Sequence, residues 1–193
     1  MSMKRLLVLM LFVLCAMVGH SQEHMTFKGV PIDGPLKTYV ANMQKAGFTL
    51  EGVNDGIAYM KGDFAGRRNC TVAVVTLKSI DVVSKIAVLF EAREKWEDIH
   101  STYTTLKEML TEKYGSPSEC EEKFTGYRQP TEGRDKMYEL KMDRCKFNTV
   151  WSTDKGRIEM KIVKGRYDNG MVMLSYYDKI NTTLVKSKAM DDL

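Results

Sequence analysis

Hydrophobic positions along the chain fall into two rhythms. Leu36, Tyr39, Val40 and Met43 recur at i, i+3, i+4 and i+7 and predict a helix with one apolar face. Asp33 is placed to cap it, Pro35 fits its first turn, and Gly47 ends it. A second stripe, Trp96, Ile99, Tyr103, Leu106 and Leu110, predicts a helix from Trp96 to Tyr114 that Gly115 and Pro117 stop. Between them, β-branched runs at Ile57–Met60, Cys70–Leu77 and Ile86–Phe90 read as strands. Turns are expected at Gly66-Arg67-Arg68-Asn69 and Ser79-Ile80-Asp81.

Beyond the second helix the rhythm lapses. Ser116 to Asp143 carries Pro117, Gly126, Pro130 and Gly133 among many charges and reads as a long loop, with one short element around Met137–Leu140. The period of two then becomes clear. Phe147, Thr149 and Trp151 alternate with polar residues, as do Ile158, Met160 and Ile162, and a last strand runs from Met171 to Tyr177. Asp154-Lys155-Gly156 and Asp168-Asn169-Gly170 supply the turns, and Asn181 is placed to cap a short C-terminal helix holding Leu184 and Val185.

Set side by side, the halves repeat an order of helix, glycine stop and about three strands, one over roughly 27–90 and the other over 96–177. The expected fold is α+β: one antiparallel sheet built from two helix-then-strands units, with the helices packed on one face.

The N-terminus changes the picture of where this domain works. Lys4-Arg5 precede thirteen uncharged residues, Leu6 to Val18, followed by a short polar stretch with Gly19 and Ser21. That is the layout of a signal peptide over residues 1–21, leaving 22–193 as a single domain. Thirteen residues span about 20 Å as a helix, short of the ~30 Å hydrocarbon core, so no stable membrane insertion is expected. Lipoprotein processing at Cys15 is disfavoured by the bulky Leu14 before it. The expectation is an exported chain, periplasmic or secreted. Removing 1–21 leaves 27 Lys and Arg against 25 acids, a net charge of +2 with the signs interspersed. A nucleic-acid partner is therefore not expected, since such partners select a clustered basic footprint.

The search for chemistry yields little. Of the histidines past residue 21, His24 lies near the start of the mature chain and His100 on the second helix, which gives no zinc ligand set and no Ser-His-Asp arrangement. No catalytic residue, metal or cofactor is assigned. Glu119, Glu121 and Glu122, like Asp191-Asp192, read as solvated charge. Three cysteines remain; Cys120 with Cys145 is the expected disulfide, and Cys70 sits in an apolar run as a buried small hydrophobe. Asn69-Cys70-Thr71 and Asn181-Thr182-Thr183 match the glycosylation sequon by chance. Among the aromatics, Trp151, Tyr176 and Tyr177 lie on the final strands and are the candidate binding residues; the competing reading packs them under the helices.

Two resemblances follow. Thr26–Gly34, Lys61–Gly66, Lys113–Pro117 and Tyr177-Asp178 resemble segments of small exported proteins of Bacteroides-type gut bacteria, a likeness that implies no activity. The helix-then-strands repeat is similar in outline to the beta-lactamase inhibitory protein fold, whose tandem units form one sheet that grips a partner, although an odd cysteine count departs from that family's paired cysteines. The functional expectation is a non-catalytic extracytoplasmic interaction module that meets a protein partner on the open face of its sheet. The alternative is a small-molecule or glycan binder with a concave pocket.

Overall fold

The computed structural model describes residues 23–77 and 79–190. The segment read as a signal peptide lies outside the described residues.

A two-residue hairpin, β1 (Thr26–Phe27) and β2 (Val30–Pro31), leads into α1 (Leu36–Lys45). Four strands follow: β3 (Thr49–Asn54), β4 (Ile57–Phe64), β5 (Arg67–Leu77) and β6 (Val82–Leu89). Next come α2 (Trp96–Tyr114), β7 (Glu119–Phe124) and α3 (Gly133–Lys141). The chain closes with β8 (Cys145–Thr153), β9 (Gly156–Lys164), β10 (Gly170–Asp178) and α4 (Lys179–Met190). Eight of the strands form one antiparallel sheet in the order β3-β4-β5-β6-β10-β9-β8-β7. The last strand of the chain, β10, therefore lies inside the sheet, between β6 and β9. The class is mixed α/β with sheet predominating.

The core is one cluster on one side of this sheet. Strands supply Met60, Val72, Val74, Ile86, Val88, Ile158, Met160 and Leu174, all at most 1% exposed. All five residues of the predicted stripe on α2 are buried over them, together with Tyr39, Val40 and Met43 of α1 and Leu140 of α3. Burying each large apolar side chain contributes about 1.5–3 kcal/mol, so this stripe alone fixes where α2 lies. The β1–β2 hairpin closes the gap between helices: Phe27 meets Phe48, Phe64 and Tyr176 at centroid distances of 6.0, 5.0 and 5.4 Å.

Several local expectations are revised. The α1 cap does not come from Asp33. The Leu36 amide donates to Asp81 Oδ1 at 3.1 Å, across 45 residues of chain, so a turn between β5 and β6 satisfies the helix end. Likewise Asn181 does not cap α4, which begins at Lys179; the Asp178 carboxylate accepts the Asn181 amide at 2.8 Å. The long-loop expectation also fails in part, because its start pairs with β8 as β7 and only its end is helical. Gly115, at φ +82°, terminates α2 where the sequence places the stop.

Asn181 acts at long range instead. Buried at 3% exposure, its Nδ2 donates to the carbonyls of Ile32 and Val83, each at 3.0 Å, and to Asp33 Oδ1 at 2.9 Å. One amide thus ties α4 to the end of β2 and the start of β6. The Asn181→Ala variant leaves those carbonyls without their donor, and we expect a loss of about 1–3 kcal/mol. Urea unfolding should show a lower midpoint at an unchanged slope.

Candidate functional site

Because side chains alternate across a strand, the residues between the core positions point to the other face. The cross-strand register fixes who neighbours whom. One row reads Gly52, Tyr59, Ala73, Ala87, Ser175, Glu159, Val150 and Glu119 from β3 to β7. The small residues Ala73, Ala87 and Ser175 form a floor at its centre, flanked by longer side chains in the next rows. On one side Lys85, Tyr177 and Arg157 are neighbours on β6, β10 and β9. On the other, Lys61, Thr71, Leu89, Met173 and Lys161 succeed each other across five strands.

Tyr177 organises the centre of this face. Its ring lies between two cations, with Lys85 Nζ 4.9 Å and Arg157 Cζ 4.7 Å from the centroid. Its hydroxyl donates to Glu159 Oε2 at 3.1 Å, and Lys161 Nζ reaches Glu159 Oε1 at 2.9 Å. Burial pushes the Glu159 carboxyl up, but hydrogen bonds and charge from Lys161, the Tyr177 hydroxyl and the Arg157 charge outweigh it and hold the group below its ordinary value. Glu159 is thus an ionised, buried support for the cations around it. Lys61 donates to Thr71 Oγ1 at 2.8 Å. Among the described residues, no carboxylate lies within ion-pair distance of Lys61, Lys85 or Arg157. Lys85, Arg157 and Lys161 therefore cluster about Tyr177 and Glu159, and Lys61 extends the positive charge across the same face to β4.

The three candidate binding residues do not share this face. Trp151, Ile158, Tyr176 and Ile86 form one cross-strand row on the core side, where Trp151 is 1% and Tyr176 5% exposed. Only Tyr177 lies on the face away from the core. The physical reason is phase: Trp151 is in step with Phe147 and Thr149, Tyr176 with Val172 and Leu174, and Tyr177 is out of step with both. The cations Lys85, Arg157 and Lys161 are not among the candidate residues of the sequence, where only the polar half of the alternation that reveals the core marks them.

The expected Cys120–Cys145 disulfide is not formed, and Cys70, Cys120 and Cys145 are all free thiols. The register explains this: Cys120 pairs with Thr149 and Cys145 with Phe124. The two are displaced by four residues along the ladder, roughly 13 Å, beyond the reach of a bridge. The remaining titratable candidates are scattered. Glu122 pairs with Lys107, Glu121 with Lys123, and His100 stacks on Trp96 at 5.7 Å. His24 Nδ1 lies 3.1 Å from Asp178 Oδ1, away from this face. Among the described residues, no group of three or more His, Cys, Asp or Glu could hold a metal ion. None of their helices is long and apolar enough to cross a membrane.

Two measurements check this geometry. Cys120 is exposed, whereas burial raises the thiols of Cys70 and Cys145, the latter to about 12. Native-state alkylation at neutral pH should therefore mark Cys120 first, and mass spectrometry should find all three as thiols. For Glu159, the depressed folded-state value means its contribution is present above the ordinary carboxylate range and lost as pH falls through that value. The Glu159→Gln variant should be less stable than the parent at neutral pH. That difference should shrink towards zero in denaturation curves taken down to about pH 3.

Comparison with known proteins adds no name to this face: no family model matches the chain, and neither the curated proteins nor the solved structures hold a significant match.

Proposed function

We propose that the chain is an exported, non-catalytic interaction module, working in the periplasm or outside the cell, that takes an acidic protein partner on the sheet face centred on Tyr177. The observation that carries this reading is the cluster of Lys85, Arg157 and Lys161 about Tyr177 and the buried carboxylate of Glu159, with Lys61 adding positive charge on β4 of the same face. A cluster of this kind accelerates encounter with an acidic surface and sets its orientation. Tyr177, whose ring and hydroxyl are already fixed, is the rigid aromatic anchor at the centre. The tandem helix-then-strands reading belongs to the same proposal: two such units side by side give one broad face. From β4 to β9 it spans four strand spacings, roughly 19 Å.

The test is capture from envelope and culture-medium fractions. Wild-type protein should retain one stoichiometric acidic protein and release it as ionic strength rises, since exposed charge pairs are screened over about 8–10 Å. The Lys85→Glu/Arg157→Glu variant, on exposed or half-buried positions, should keep its circular dichroism spectrum and lose the partner. Equal retention by both proteins, or retention insensitive to salt, would sink the reading.

A further inference from the structure

On the core side of the molecule lies a second feature that this interaction does not use. A groove of about 220 Å³ opens between α2 and the β4–β5 turn, with the β1–β2 turn at its mouth. Its floor is made by Leu106, Leu110, Leu174 and Tyr176, all nearly buried. Phe64 and Met109 stand at its sides, and Met109 is 46% exposed. The apolar surface that stays accessible comes from Phe64, Ala65 and Met109, over a base that the leucines already close.

The mouth carries the opposite chemistry. Lys28 and Lys113 line it, and among the described residues neither has a carboxylate within ion-pair distance. Lys28 sits in the left-handed backbone region at φ +52°, in the tight turn between β1 and β2, which fixes where its side chain starts. Lys113 Nζ stands 5.2 Å from the Tyr114 ring centroid. Two ammonium groups without a carboxylate partner, beside an apolar groove, complement an anion with an apolar tail. A neutral ligand would leave the charges unused, and an inorganic anion would leave the floor unused.

We propose that this groove binds the carboxylate of a short- to medium-chain fatty acid, its tail along Phe64, Ala65 and Met109 over the leucine base and its headgroup at Lys28 and Lys113. The site is independent of the partner-binding face, and either can fail without the other.

Titration calorimetry of the purified full chain with octanoate, hexanoate and octanol tests it. Octanoate should bind about tenfold more tightly than hexanoate, because two further methylenes are buried. The Lys28→Ala/Lys113→Ala variant should bind octanoate at least tenfold more weakly while its octanol affinity stays unchanged. Met109→Trp, a second variant at an exposed position, should fill the groove and weaken both ligands, with circular dichroism confirming the fold. Equal octanoate affinity in the double variant and wild type would overturn the proposal. So would failure to bind octanoate at ~1 mM.

Discussion

The pairing of β6 with β10 holds the two halves of the sheet together, and everything else is arranged around it. Leu89, Val88, Ala87, Ile86 and Lys85 lie opposite Met173, Leu174, Ser175, Tyr176 and Tyr177. Ser175 and Ala87 are 88 residues apart in the chain, so the contact carries a large loop-closure cost. That cost is offset on the core side, where Ile86, Val88, Leu174 and Tyr176 join a single apolar cluster with α2. The same pairs place Lys85 beside Tyr177 on the other side. Core and candidate interaction face are thus two surfaces of one ladder, and a register slip by one residue would exchange them.

The outer strands answer a different constraint. An unpaired strand edge invites further strands, and this sheet has two. β7 presents Glu119, Glu121, Glu122 and Lys123, a charged edge that resists pairing with a second chain. β3 is interrupted by a bulge between Leu50 and Gly52. Association through sheet extension is disfavoured at both ends, which leaves the faces as the surfaces available for binding.

How much of this was legible in the sequence follows from which forces set each element. The α2 stripe and the alternations in β8 and β9 are dominated by burial, and the residue pattern located them correctly. β3 and β7 escaped because edge strands carry exposed polar residues that show no alternation of hydrophobicity. Asp81 capping α1 and Asn181 bridging β2, β6 and α4 are contacts between distant segments, and nothing local marks either residue for its role. The cysteine expectation fails because closeness in sequence is not closeness in register: Cys120 faces Thr149 and Cys145 faces Phe124. At the candidate face, alternation was enough to separate Tyr177 from Trp151 and Tyr176, since its phase differs from theirs. The cations could be grouped only once strand order was known, because β6 and β9 are joined through a strand that comes later in the chain than either.

The internal position of β10 has a temporal side. A chain made from its N-terminus lays down β3 to β6, then β7 to β9, and each group ends on a strand whose inner edge has no partner. Only when residues 170–178 become available can that gap be filled. Until then Ile86, Val88, Ile158 and Met160 have no neighbour on the missing side, and two exposed apolar edges coexist in one molecule. The assembly is therefore closed by a keystone made after both of its neighbours, and a chain interrupted before it would be left open through the middle of its sheet.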